Sequence, residues 1–112
     1  ANSFKNKKVD LTTTDLTTLY TVPTATTTVI KSILVSDDSG SGTTIDVTLV
    51  NSSSAIFSLF KSKSISGNAT TELLTQPLVM EESEVLKVQS GYANRLHVIA
   101  SILEIRPREV TS

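Results

Sequence analysis

Cysteine is absent from this chain of 112 residues. No disulfide and no thiolate metal site can brace it, so its stability has to come from packing alone. Histidine occurs once, as His97. It lies inside an apolar stretch, where a rim or interface position is its expected role ahead of that of a general base. Aromatic residues make up 4% of the chain, too few for a surface that grips sugars through exposed rings, with Tyr92 the sole loop candidate. Neither sign of charge dominates: ten Lys plus Arg stand against eleven Asp plus Glu, a net of -1. That leaves no polyanion-binding footprint, and nucleic acid is not an expected partner. No apolar run reaches the length of a membrane span, and the amino end lacks the positive, apolar, small-residue order of a secretion signal, so no membrane partner is expected. Ala1 before Asn2 reads as the trace of a trimmed initiator Met, which sets an expectation of synthesis inside a cell.

What the chain does have is Ser and Thr at over a quarter of its positions and an apolar fraction of 38%. The second value is that of a folded protein, and the length suits one domain with a single modest core. The hydroxyl-rich surface is neutral, not a charged solubilising one. The longest nearly unbroken apolar run is 96–105, LHVIASILEI. On a period of two, Leu96, Val98, Ala100 and Ile102 point to one side, and His97, Ile99, Ser101, Leu103 and Ile105 to the other. Periodicity alone does not separate a strand covered on both faces from a short buried helix. The neighbouring apolar segments decide it, being short, β-branched and bounded by Ser, Thr, Gly or Asn. The run is expected to be the last and longest strand of an all-β domain.

Residues 1–15 carry little apolar content beyond Phe4, Val9 and Leu11, with Lys5, Lys7 and Lys8 close together. They read as an amino-terminal arm, either solvated or ordered against a neighbouring subunit with Phe4 as its anchor. The sandwich domain is expected over 16–106, and 107–112 as a carboxyl-terminal tail. Segment 16–22, LTTLYTV, is the first strand, closed by Pro23. The second is 27–36, with Val29, Ile33 and Val35 on one face and Ile30 and Leu34 on the other. Residues 37–42, DDSGSG, form the clearest turn; the calcium-loop spacing and its terminal glutamate are missing, so no metal is expected there. Residues 43–51 alternate cleanly, with Ile45, Val47 and Leu49 inward. They pair through NSSS with 55–61, AIFSLFK, a hairpin expected to supply the bulkiest part of the core through Phe57 and Phe60. Residues 62–70 read as a loop, TELLT and LVM as short edge pieces around Pro77, Glu81, Glu82 and Glu84 as a solvated acidic turn, and 84–90 as the penultimate strand. Seven to eight short strands without a helix predict a two-sheet antiparallel β-sandwich, jelly-roll or Ig-like in topology.

No phosphate loop, nucleotide fingerprint, zinc spacing or paired-carboxylate motif occurs, so no catalytic residue, cofactor or metal ligand is assigned and an enzyme is not expected. The strands nevertheless carry apolar residues on both faces. A small sandwich wets its outer faces, and a monomer seldom leaves so much apolar area uncovered. The excess predicts a homo-oligomer or docking on a larger assembly, through Phe4, Ile99, Leu103, Ile105, Arg106 and Arg108.

The order of features resembles that of small virion structural proteins of tailed bacteriophages, including cyanobacterial and other marine phages. The matching stretches are ANSFKN, LTTLYTVP with its Thr-rich turn, TTVIKSILVSDDSGS, TTIDVTLVNSS, ELLTQPLVMEESEVLKVQSG and ASILEI, up to Ile105. The tail RPREVTS departs from the pattern. The resemblance implies a place in the particle, assembled in the host cytoplasm, most simply a capsid decoration or cement protein that binds the major capsid protein or other virion subunits. The alternatives are a neck, tail or baseplate subunit and a host-surface or carbohydrate-binding module.

Overall fold

The last strand is the spine of one of two sheets. In the computed structural model, which describes residues 2–106, β9 (Leu96–Ile105) is flanked on both sides. One neighbour is β1 (Asn2–Leu11), paired with it antiparallel over ten residues without a break. The other is β3 (Thr27–Asp37), also antiparallel. Two short strands, β6 (Thr70–Glu72) and β7 (Leu78–Met80), share the far edge of β3. The second sheet runs β2 (Thr17–Thr21), β8 (Val85–Ser90), β4 (Thr43–Val50), β5 (Ile56–Ile65). Among the described residues there is no helix, and hence none long and apolar enough to cross a membrane.

The pairing selects one of the two expected topologies. Taking β6 and β7 as one interrupted strand, first pairs with last, second with next to last, third with the interrupted strand, and fourth with fifth. A long hairpin rolled onto itself gives that scheme, and it is the jelly roll. The molecule is elongated, 56 × 27 × 23 Å, with a radius of gyration of 14.8 Å, against about 13 Å for a compact domain of this length.

The core lies between the sheets and is aliphatic. Leu96, Val98, Ala100 and Ile102 are all buried, meeting Ile33, Val35, Ile45, Val47, Leu86 and Val88 from the other strands. Period-two alternation therefore assigned β9 and β4 correctly.

Five expectations are corrected. Segment 1–15 is not an arm: its first part is β1, whose inward Val9 and Leu11 pack on the sandwich's own interior. Among the described residues the strands number nine. On β3 the face assignment changes partway, because a bulge between Ile30 and Ser32 shifts the phase. Ile30 thus lies inward with Ile33 and Val35, leaving Val29 and Leu34 outward, since one extra residue sends every later side chain to the opposite face. The β4–β5 hairpin does not supply the bulk of the core: Phe57 is 53% exposed, and Phe60 is only partly buried. Strand β5 is an edge with two irregularities against β4, so half of its surroundings are solvent. It also continues to Ile65, through residues read as loop.

Candidate interaction face

The registers place outward side chains of the β1–β9–β3–β7 sheet in rows. Phe4 stands opposite Leu103, Leu103 opposite Val29, and Val29 opposite Val79. Cross-strand partners share a face and touch, so four apolar side chains form one band across about 14 Å, three strand spacings. Its ends are open: Phe4 is 75% and Val79 58% exposed. Ile105, between Asn2 and Thr27, borders the band on one side, and Ser101, beside Asn6 and Ser32, on the other. The border is thus neutral and hydroxyl-rich apart from Lys31 at the bulge. A dry apolar centre with little charge is the composition of an interface centre.

Further along the same face the rows acquire charge. Lys8, Ile99, Leu34 and Glu72 form one row, and Asp10, His97, Ser36 and Thr70 the next. His97 has Nε2 at 3.3 Å from Asp10 Oδ1 and Nδ1 at 3.9 Å from Asp38 Oδ2. Both ring nitrogens thus face carboxylates. Lys8, His97 and Ile99 line a shallow depression of about 450 Å³. Among the described residues no group of His, Asp and Glu is placed to hold a metal ion.

The face brings together four of the residues singled out from sequence, Phe4, Ile99, Leu103 and Ile105. Arg106 follows Ile105 at the end of β9, with Nη2 at 3.7 Å from Glu104 Oε1. Arg108 lies outside the described residues. Sequence reasoning missed Val29 and Val79. The first was hidden by the unmarked bulge at Lys31, and the second sat in a short segment whose strand partner local sequence does not reveal.

Beneath the face, Glu104 points inward and is 2% exposed. Lys5 Nζ lies 2.9 Å from its Oε1, and Tyr20 Oη donates to its Oε2 at 2.6 Å. The phenol has one hydrogen, so the Thr28 hydroxyl donates to Tyr20 Oη at 2.7 Å. Burial works against the Glu104 anion, but the Tyr20 and Lys5 contacts outweigh it and hold the carboxyl below its ordinary value. Burial first, and then the hydrogen bond to Glu104, push Tyr20 up to about 12. This cluster joins the two sheets under the apolar band.

Glu72 plays a comparable part at the bulge. Its carboxylate accepts from the Ser32 hydroxyl, from Ile33 N at 2.9 Å and from Leu74 N at 3.1 Å. These bonds outweigh partial desolvation and lower its pKa, and they satisfy an amide that the disrupted ladder leaves over. In the turn between β8 and β9 Tyr92 is 59% exposed. One ring face is occupied by the Arg95 guanidinium, 4.1 Å from the ring centre, and that arginine also donates to Gly42 O at 2.8 Å.

The architecture defines a two-sheet jelly-roll domain with an uncovered apolar band on one outer face. No family model matches the chain, and no curated protein matches it. Among solved structures it is similar to a pentameric capsid protein isolated from metagenomic phage sequences, at 17% identity and a TM-score of 0.43. The match covers 88% of this chain and 66% of that one, so the chain spans just under two thirds of that protein's length.

Proposed function

We propose that this chain is a structural subunit of a bacteriophage virion, a decoration or cement protein that stabilises the capsid shell by docking onto neighbouring shell subunits. The observation that carries the reading is the apolar band Phe4–Leu103–Val29–Val79 with its largely uncharged border. Apolar area of this kind is stabilised when a partner removes it from water, at about 25 cal/mol per Å². A contact of ordinary size, about 800 Å² per partner, gains its effect by repetition around a shell. The sequence resemblance supplies the particle, and the jelly roll is compatible with it, though fold alone does not assign function. On this reading the chain is not an enzyme, needs no cofactor and acts in many copies.

Gold labelling of gradient-purified phage particles with an antibody to this chain, viewed by electron microscopy, tests the proposal. Gold spread over the shell is the expected result. Gold confined to the neck, tail or baseplate selects the alternative structural role, and particles free of the chain overturn the virion reading. The carbohydrate-binding alternative rests on Tyr92, whose ring has one face occupied by Arg95. Glycan binding by the purified chain, abolished in Tyr92→Ala, would favour it.

A further inference from the structure

The four sheet edges are not equivalent. An exposed edge invites pairing with another chain, and natural proteins blunt edges with short strands, bulges, proline or charge. Strand β2 is five residues long and bulged against β8. Strand β5 carries two irregularities, with Ser62 at positive φ. Strands β6 and β7 have three residues each, with Pro77 between them. Strand β1 differs, running ten residues in unbroken register with β9 and offering the N–H and C=O of alternate residues outward. Its protection is electrostatic: Lys5, Lys7 and Lys8 crowd its centre. Antiparallel pairing of β1 with another β1 would set lysines beside lysines, so this edge selects against its own kind.

The β6/β7 edge of the same sheet has complementary chemistry in matching register. Because β7 is antiparallel to β3 and β1 is parallel to it, setting two copies side by side continues one antiparallel sheet. The rows of one copy then run into those of the next. Phe4 meets the neighbour's Val79, prolonging the apolar band, and Lys8 meets the neighbour's Glu72. The Glu72 charge is held by neutral donors, and no cation lies within ion-pair distance of it among the described residues. From this register and charge complementarity we infer that copies of the chain associate head to tail, the β1 edge of one on the β6/β7 edge of the next. Such a contact is heterologous and generates a ring where the rotation closes. The inference builds on the reading of the chain as a repeated shell subunit and names the surface through which its copies meet.

The absence of cysteine makes the test direct. In the full-length double variant Phe4→Cys/Val79→Cys both thiols are solvent-exposed and lie at opposite edges of one copy, about 14 Å apart, too far to bridge within it. Mild oxidation followed by non-reducing electrophoresis is expected to give a ladder of dimers, trimers and larger species. Each single variant alone should give none, and Lys8→Glu in the double variant should reduce the yield severalfold. A product that stops at dimers, cross-linking by Phe4→Cys alone, or no cross-linking at all overturns the head-to-tail contact. Gold labelling of particles reads the virion role separately, so failure of the ladder with labelled particles rejects this contact and leaves that role standing.

Discussion

The Glu104 carboxylate takes its partners from two other strands, Lys5 on β1 and Tyr20 on β2, and through Tyr20 it reaches Thr28 on β3. Such a cluster makes stability depend on pH with a definite sign. The folded-state pKa of Glu104 is below its unfolded value, so its contribution is fully present above the unfolded carboxylate range and fades as pH falls through the folded value. Urea unfolding at neutral and at acid pH should show Glu104→Gln losing much of the acid-side slope. Tyr20 is shifted the other way, so its contribution is complete below about pH 10 and fades as pH rises towards 12. Tyr20→Phe, which leaves Glu104 Oε2 without its donor, should cost about 1–3 kcal/mol. Exposure separates two further side chains of the same sheet. Ile102, 1% exposed, should cost about 2–5 kcal/mol as alanine, whereas Phe4→Ala, at 75% exposure, should stay within about 0.5 kcal/mol of the parent in the same assay.

Among the elements, β9 and β4 were legible because a fully or half-buried strand writes its faces into alternate positions, and no bulge interrupts β9 against β1. The 37–42 turn was legible for a different reason. Gly40 and Gly42 adopt φ of 83° and 69°, which side-chain-bearing residues disfavour. Strand β3 was misread because Lys31 looks like any exposed lysine and nothing local announces an inserted residue. The bulge is held by a glutamate forty positions away, Glu72 accepting from Ser32 and Ile33. Glu72→Ala should therefore cost about 1–3 kcal/mol through the amides it leaves unpaired. Hydrogen exchange at Ile33 and Leu74 should quicken while the β1–β9 ladder keeps its protection; uniform quickening along the sheet would show that Glu72 does not act locally. Strand β5 escaped for a topological reason. Its phenylalanines look like core until sheet order makes the strand an edge, and sheet order is nonlocal. The same holds for β1, which read as an arm, solvated or ordered against a neighbour, while its ladder ties it to β9 and its inward Val9 and Leu11 pack on the sandwich's own interior.

At the scale of the molecule, five of the eight large exposed apolar side chains among the described residues lie towards one end, with Leu16, Ile99 and Tyr92 elsewhere. Phe4, Val79, Ile105, Ile56 and Phe57 are all exposed. They gather towards the end where β1 begins and β9 finishes, beside the turns between β4 and β5 and between β7 and β8. The opposite end, with Gly40, Gly42, Asn68 and Arg95, is built of turns whose polar groups bond one another. A 56 Å body with most of its large exposed apolar side chains towards one end is asymmetric along its length. Edge-to-edge association that prolongs the apolar band should respond to solvent as apolar burial does. Sulfate strengthens it, because excluded salts favour burial, and sodium chloride weakens only the part owed to pairs such as Lys8 with Glu72. Sedimentation of the purified chain should accordingly show self-association persisting at high sodium chloride and rising in sulfate. Phe4→Ala should weaken it by about fivefold or more, the effect of losing a central aromatic contact worth over about 1 kcal/mol, with no matching loss of folding stability. Association abolished by salt and indifferent to Phe4 would instead mean that the lysines, and not the apolar band, hold the copies together.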